Sequence, residues 1–234
     1  MGRASHQRFC GQRNRVQGAL NVNFVTPTHY APHVRAAVLA AREEGFSLPV
    51  VWNTGGYETV EAIRANTDVV DVYLTDFKYA DPALGVRYSS VSDYPQRALE
   101  ALAAMIAEVG SPVYDKYRGD ERMTRGVIVR HLLLPGHVDD SMRVVRMLHE
   151  RFGDALRLSL MNQYTPVLAT AAQRGDAQAA RVLRACPELA GRVDPDDYER
   201  LLDFAGVEDY YWQEGGACEE SFIPAFSCEP QDAD

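Results

Sequence analysis

Five short apolar runs, separated by stretches of helical periodicity and each closed by polar residues, constrain this chain more than any other feature. Leu20–Thr26 (LNVNFVT) reads as a strand. Pro32–Glu44 follows as a helix, with Val34, Val38 and Ala41 at i, i+4 and i+7, Arg42, Glu43 and Glu44 toward solvent, and Gly45 at its end. The second strand is Pro49–Asn53 (PVVWN), closed by Gly55-Gly56 and followed by a short helix over Glu58–Ala65. The third, Val69–Phe77 (VVDVYLTDF), leads through a long connection, Tyr79–Asp93, to a helix over Pro95–Val109 with Leu99, Leu102, Ile106 and Val109 on one face. The fourth, Gly126–Leu134 (GVIVRHLLL), stops at Pro135-Gly136, and Asp139 or Asp140 is expected to cap a helix reaching Phe152. Ala155–Met161 is the fifth. Strands joined by helices are parallel neighbours, because a parallel pair needs a long crossover. Their Val, Leu and Ile content suits a sheet covered on both faces. An α/β fold follows. A barrel or partial barrel and an open doubly wound sheet both fit, and either binds ligands at the C-terminal ends of its strands.

Around this unit the chain is less regular. Residues 1–18 hold four Arg and no acid, with no apolar stretch behind them, and read as a disordered basic N-terminus rather than a signal peptide. The barrel-like region is 19–168. Residues 169–234 read as a C-terminal helical insert, a helix and a tail. Within them Ala169–Ala180 suggests a surface helix, and Asp194-Pro195-Asp196-Asp197 opens a helix that runs to Ala205 and stops at Gly206.

Of the 234 residues 46% are hydrophobic and 24% charged, ordinary values for a folded chain, and the net charge is -9. Such an acidic chain is a poor partner for nucleic acid or an anionic membrane. No apolar run approaches the roughly 20 residues that cross a bilayer. Cys10, Cys186, Cys218 and Cys228 are far apart, with no CxxC or CxxxC spacing, so they form no recognisable thiolate metal motif. A cytoplasmic chain with reduced thiols is expected.

The strand ends carry the candidate chemistry. They are Thr26-Pro27-Thr28-His29-Tyr30, Asn53-Thr54-Gly55-Gly56, Asp76-Phe77-Lys78, Arg130-His131 within the fourth strand, and Asn162-Gln163-Tyr164. Strand alternation places Val72, Leu74, Asp76 and Lys78 on one face. It places Ile128, Arg130 and Leu132 on one face and His131 on the other. Taken singly, each group has a plain structural reading: Asp76 with Lys78 or Arg130 as an ion pair, His131 as a satisfied core histidine, Asn53–Gly56 as a turn. No GxSxG, P-loop, GxGxxG or HExxH is present.

Taken in order, Asn21–Tyr30 (NVNFVTPTHY), Val51–Tyr57 (VWNTGGY), Asp71–Tyr79 (DVYLTDFKY), Val129–Gly136 (VRHLLLPG) and Ser159–Pro166 (SLMNQYTP) resemble radical S-adenosylmethionine proteins similar to the pyruvate formate-lyase activating enzyme. Tyr211–Phe226 (YWQEGGACEESFIPAF) looks like the C-terminal segment of that group, so the resemblance runs from about Gln17 to Phe226. It implies a partial (β/α)6 TIM-like barrel of parallel strands. It also implies a [4Fe-4S] cluster on a CxxxCxxC loop, reductive cleavage of S-adenosylmethionine, and a glycyl radical enzyme or other protein substrate as partner. Thr26, Thr28 and His29 stand where relatives carry a Gly-Gly-Glu that meets the amino group. Asn53 and Thr54 match an Asp-Thr that contacts ribose or carboxylate. Asp76 and Lys78 match an Asp-x-Lys pair beside the methionyl carboxylate, Arg130 matches a core-strand arginine, and Tyr164 lies near a histidine beside adenine.

The resemblance also has a gap. Its first strand and cysteine loop have no counterpart, and only Cys10 precedes the strand at Leu20. The chain thus reads as an N-terminally truncated member with the first strand missing, no cluster ligands and little or no radical chemistry alone. Two other readings stand beside it. One is a cluster-free module that binds S-adenosylmethionine or a partner. The other is an unrelated barrel enzyme using Asp76, Lys78 and His131 in acid–base chemistry.

Overall fold

The computed structural model describes residues 19–206, 211 and 212. In chain order, β1 (Val22–Val25) leads through a 3-10 turn at Pro27–Tyr30 into α1 (Ala31–Glu43). Next come β2 (Val50–Thr54), α2 (Val60–Arg64), β3 (Val72–Asp76), α3 (Pro82–Ser89), α4 (Tyr94–Val109), β4 (Val113–Tyr117) and β5 (Asp120–Leu132). Then follow α5 (Val138–Phe152), β6 (Arg157–Met161), α6 (Val167–Gln173), α7 (Ala177–Ala185), α8 (Pro195–Ala205) and the two-residue β7 (Tyr211–Trp212).

The seven strands form a mixed, mostly parallel sheet with the path β1-β2-β3-β5-β6-β7. Every step on that path is parallel, and β4 pairs antiparallel with β5. Among the described residues no pairing joins β1 to β7, so the architecture is an α/β sheet without demonstrated closure. All five residues of β2 are buried, as a central strand covered on both faces requires. α4 buries Tyr94, Ala98, Ala101, Leu102, Met105 and Val109 at helical spacing, in one core with Val127, Val129, Leu158 and Leu160 of the sheet.

The sheet departs from the all-parallel expectation in one place. The first third of β5 forms a hairpin with β4 across Arg118-Gly119, whose positive φ values (57° and 97°) set the reversal. The charged DKYRGDER sequence hides this hairpin, because neither of its faces is apolar. Gly126 then switches the strand from antiparallel to parallel pairing. Its φ is 130°, and a Cβ there would come within 2.8 Å of the Pro112 Cα.

Three helix expectations are corrected. α3 lies inside the supposed long connection, started by Asp81, whose carboxylate accepts from the Ala83 N–H (2.8 Å) with Pro82 at the first helical position. The expected surface helix over Ala169–Ala180 is two helices, α6 and α7, broken at Gly175, and Asp176 caps the second. Neither Asp139 nor Asp140 caps α5, whose N-cap is His137. Asp140 is buried and its carboxylate accepts from the Ala80 and Asp81 N–H groups (3.1 and 3.0 Å), tying α5 to the chain after β3. The start of α8 is as expected: Asp194 accepts from the Asp196 N–H at 3.0 Å. Tyr198 donates to the Leu160 carbonyl and seats α8 on β6. The expected disorder of residues 1–18 and most of the tail after Gly206 lie outside the described residues.

Candidate functional site at the strand ends

The parallel registers bring three strand ends into one cluster. Asp76 of β3 stands opposite Arg130 of β5, and Thr54 of β2 opposite Thr75 of β3. Arg130 donates to Asp76 Oδ1 from Nε (3.0 Å) and to Asn53 Oδ1 from Nη2 (2.8 Å), with Nη2 also 2.8 Å from Asp76 Oδ1 as an ion pair. Lys78 Nζ donates to the other Asp76 oxygen at 2.8 Å. Two cations thus share one carboxylate, which leaves an excess positive charge. Thr54 donates to the Thr75 hydroxyl at 3.1 Å beneath them.

Asp76, Lys78 and Arg130 line a cavity of about 330 Å³ whose other walls are Phe77, Tyr79, Leu132, Leu134 and Met161. One side is charged and the other apolar. That combination suits a small ligand with an anionic end and a hydrophobic or aromatic body.

The turn after β2 is built to approach this cluster. Gly56 has φ 84°, and a Cβ on it would lie 2.0 Å from the Asp76 carbonyl oxygen. The buried Tyr94 hydroxyl holds the junction. It accepts from the Lys78 N–H at 3.0 Å and lies 3.3 Å from the Gly55 and Asp76 carbonyls. Two residues beyond the glycine is Glu58, which the sequence reading did not single out. Burial pushes its pKa up. The Thr54 hydroxyl, the Gly56 N–H and the Thr28 hydroxyl oppose that rise, and the charge of Asp76 adds to it. Its Oε2 atom is buried and has no hydrogen-bond partner. An acid shortly after a Gly-Gly turn at a strand end was the available signal.

The predicted residues therefore divide. Asn53, Thr54, Asp76, Lys78 and Arg130 come together, and Thr28 is exposed just past the end of β1. Thr26 is exposed and left-handed (φ 51°), its N–H extending the ladder to Asn53, and His29 is exposed. The Tyr164 hydroxyl donates to the Leu189 carbonyl at 2.7 Å. His131 is 2% exposed: Nδ1–H donates to the Phe77 carbonyl (2.7 Å), which leaves Nε2 to accept from Ser141 (2.8 Å). Burial lowers its pKa. It is a satisfied core residue, so the acid–base reading loses one of its three groups.

The described residues contain no group of three His, Cys, Asp or Glu placed to hold a metal. The single described cysteine, Cys186, is buried and accepts from Arg87 Nε at 3.4 Å. These residues do not fit a [4Fe-4S] cluster. No described helix is long and apolar enough to cross a membrane.

In fold, the chain is similar to a domain of the pyruvate-formate lyase-activating enzyme from Bacteroides vulgatus. The TM-score is 0.54 over 85% of this chain and all of that domain, at 9% identity, a likeness of fold alone. In sequence it is 31% identical over 189 residues to the uncharacterized protein MJ0674 of Methanocaldococcus jannaschii. That match takes in 79% of this chain and 46% of MJ0674, so the chain spans about half the length of this relative. No protein-family model matches the chain.

Proposed function

We propose that this chain binds S-adenosylmethionine at the ends of β2, β3 and β5, as a module of the radical S-adenosylmethionine, activating-enzyme type. The observation that carries the reading is the sharing of Asp76 by Lys78 and Arg130 at the edge of a half-apolar cavity. Lys78 and Arg130 offer their unspent charge to the methionyl carboxylate. Asn53 and Thr54 are the polar groups for ribose or carboxylate. Leu132, Leu134 and Met161 supply the apolar wall for the remainder. Thr26, His29 and Tyr164 stand outside this hydrogen-bonded cluster, and the reading does not depend on them.

The reading ends at binding. With no ligand set for a cluster among the described residues, no reductive cleavage is assigned to this chain alone. A protein partner, a glycyl radical enzyme or another protein substrate, is the class of target that this type of module serves.

Titration calorimetry of S-adenosylmethionine on the whole chain tests the proposal. The wild type is expected to bind. Lys78→Ala is expected to weaken binding about tenfold or more, the loss of one charge-assisted hydrogen bond. A wild type that takes up no S-adenosylmethionine overturns the reading.

A further inference from the structure

We infer that the C-terminal helical unit, residues 167–190, is a hinged brace for the cavity and that Glu188 is the positioning residue that latches it. The inference rests on the binding reading above and concerns what holds that site in shape. The unit comprises α6, α7 and the 3-10 turn Pro187–Ala190, which pack on one another. Its three buried residues, Ala179, Cys186 and Leu189, lie outside the core that the sheet shares with α4, α5 and α8. Residues 162–166 join it to β6 and residues 191–193 to α8. A unit with its own small core can move as a body while the sheet stays folded.

Its attachment is polar and converges on one carboxylate. Arg87 Nη2 lies 2.8 and 3.0 Å from the two Glu188 oxygens, and the Tyr88 hydroxyl donates to Glu188 as well. His137 Nε2 is 2.7 Å from that hydroxyl and 3.9 Å from the carboxylate. Arg87 also donates to the Ala185 carbonyl (3.1 Å) and the Cys186 sulfur (3.4 Å). On the hinge, Tyr164 donates to the Leu189 carbonyl at 2.7 Å. These partners back the cavity. The Tyr88 ring packs on Tyr79 with centroids 5.9 Å apart, the His137 N–H donates to the Leu134 carbonyl, and Tyr164 follows closely on Met161. Tyr79, Leu134 and Met161 are walls of the cavity, so Glu188 and Leu189 together brace all three. The Arg87 and Glu188 side chains are 40% and 20% exposed, and a partly exposed pair is a weak tie. The latch is therefore poised to open, and a ligand that needs the braced walls holds it shut.

Cys186 reports the opening, because its thiol is buried beside Glu188. Alkylation of Cys186 by iodoacetamide in the native whole chain, read by mass spectrometry of its peptide, is compared for wild type, Glu188→Ala and Tyr88→Phe, with and without S-adenosylmethionine. Melting temperatures and S-adenosylmethionine affinities are measured in parallel. Glu188→Ala is expected to speed alkylation about tenfold or more, through the loss of two charge-assisted hydrogen bonds. Tyr88→Phe, which keeps the ring, is expected to speed it less. S-adenosylmethionine is expected to slow alkylation of the wild type and to bind Glu188→Ala more weakly. The three proteins are expected to melt together, because the latch lies outside the main core. Equal alkylation of wild type and Glu188→Ala overturns the inference. A melting temperature that falls in step with the alkylation rate makes the unit part of the core and overturns it too. So does faster alkylation with unchanged affinity and no slowing by ligand, since the unit would then open without consequence for the cavity. A wild type that binds no S-adenosylmethionine overturns the proposed function, and the latch then stands or falls on the alkylation rates of the three ligand-free proteins.

Discussion

Asp76 and His131 lie on neighbouring parallel strands, and burial gives them opposite jobs. Asp76 keeps about a quarter of its side chain in solvent and gathers Lys78 and Arg130, so its ion pairs are partly screened and their contribution to stability is small. His131 is buried between Phe77 and Ser141, and that burial lowers its pKa although the Phe77 carbonyl and the charges of Asp140 and Asp76 oppose the shift. The consequence for stability has a definite sign. An unfolded imidazole takes up a proton as pH falls through about 6.5, and the folded one resists it. The stability due to His131 is therefore complete above that value and is lost progressively as pH falls below it. The His131 ring-proton resonances are expected to stay constant in the folded protein through about pH 6.5, while the urea midpoint falls below that pH. A His131 that titrates at its ordinary value contradicts the assignment.

At the scale of elements, the turn between β2 and α2 is the most demanding piece. It is sequence-local, yet its conformation is imposed by β3. A residue larger than glycine at position 56 must adopt φ 84° and push against the Asp76 carbonyl, which is backbone and has nowhere to go. Gly56→Ala is expected to cost about 2 kcal/mol or more in urea unfolding. Gly55→Ala is expected to cost less, because a Cβ there meets nothing within 4 Å. Equal costs at the two glycines contradict the close-approach argument. A second set of contacts holds the segment after α7 against α3. Arg87 Nη2 pairs with Glu188 (2.8 Å), and Tyr88 donates to Glu188 and bonds His137 Nε2 (2.7 Å). The Tyr88 hydroxyl pKa is raised, first by burial and then by that carboxylate. These contacts are polar and close to the surface, so they orient the C-terminal helices, while Tyr198 and Leu201 of α8 supply the buried anchor.

For the whole molecule, the edge at β1 matters most. β1 pairs with β2 on one side, and among the described residues no strand pairs with its other side. Val25 on that edge is 69% exposed, and Tyr30 just beyond it is 67% exposed. An open parallel edge with apolar side chains is a template for association. The isolated chain is therefore expected to self-associate or to unfold at low temperature. Sedimentation that shows a monomer, together with a cooperative melt in the range of ordinary mesophilic domains, contradicts this expectation.

Local order was legible in the amino acids. Alternating strand and helix periods placed five parallel strands to within a few residues, and Asp194-Pro195 and Gly206 bracketed α8. The strand ends were visible as polar stops, because a strand covered on both faces is apolar until it leaves the sheet. What local patterns could not show was which ends meet. Arg130 reaches Asp76 across 54 positions and Asn53 across 77, a pairing set by strand order and register. The same holds for β4, whose charged faces carry no periodic signal, and for Asp140, which spends its carboxylate on a distant backbone instead of capping its own helix. Glu58 shows the limit most clearly: on paper it is an ordinary acid before a short helix. Only the folded chain buries its Oε2, since burial is a property of what surrounds a group in space and not of its neighbours in the chain.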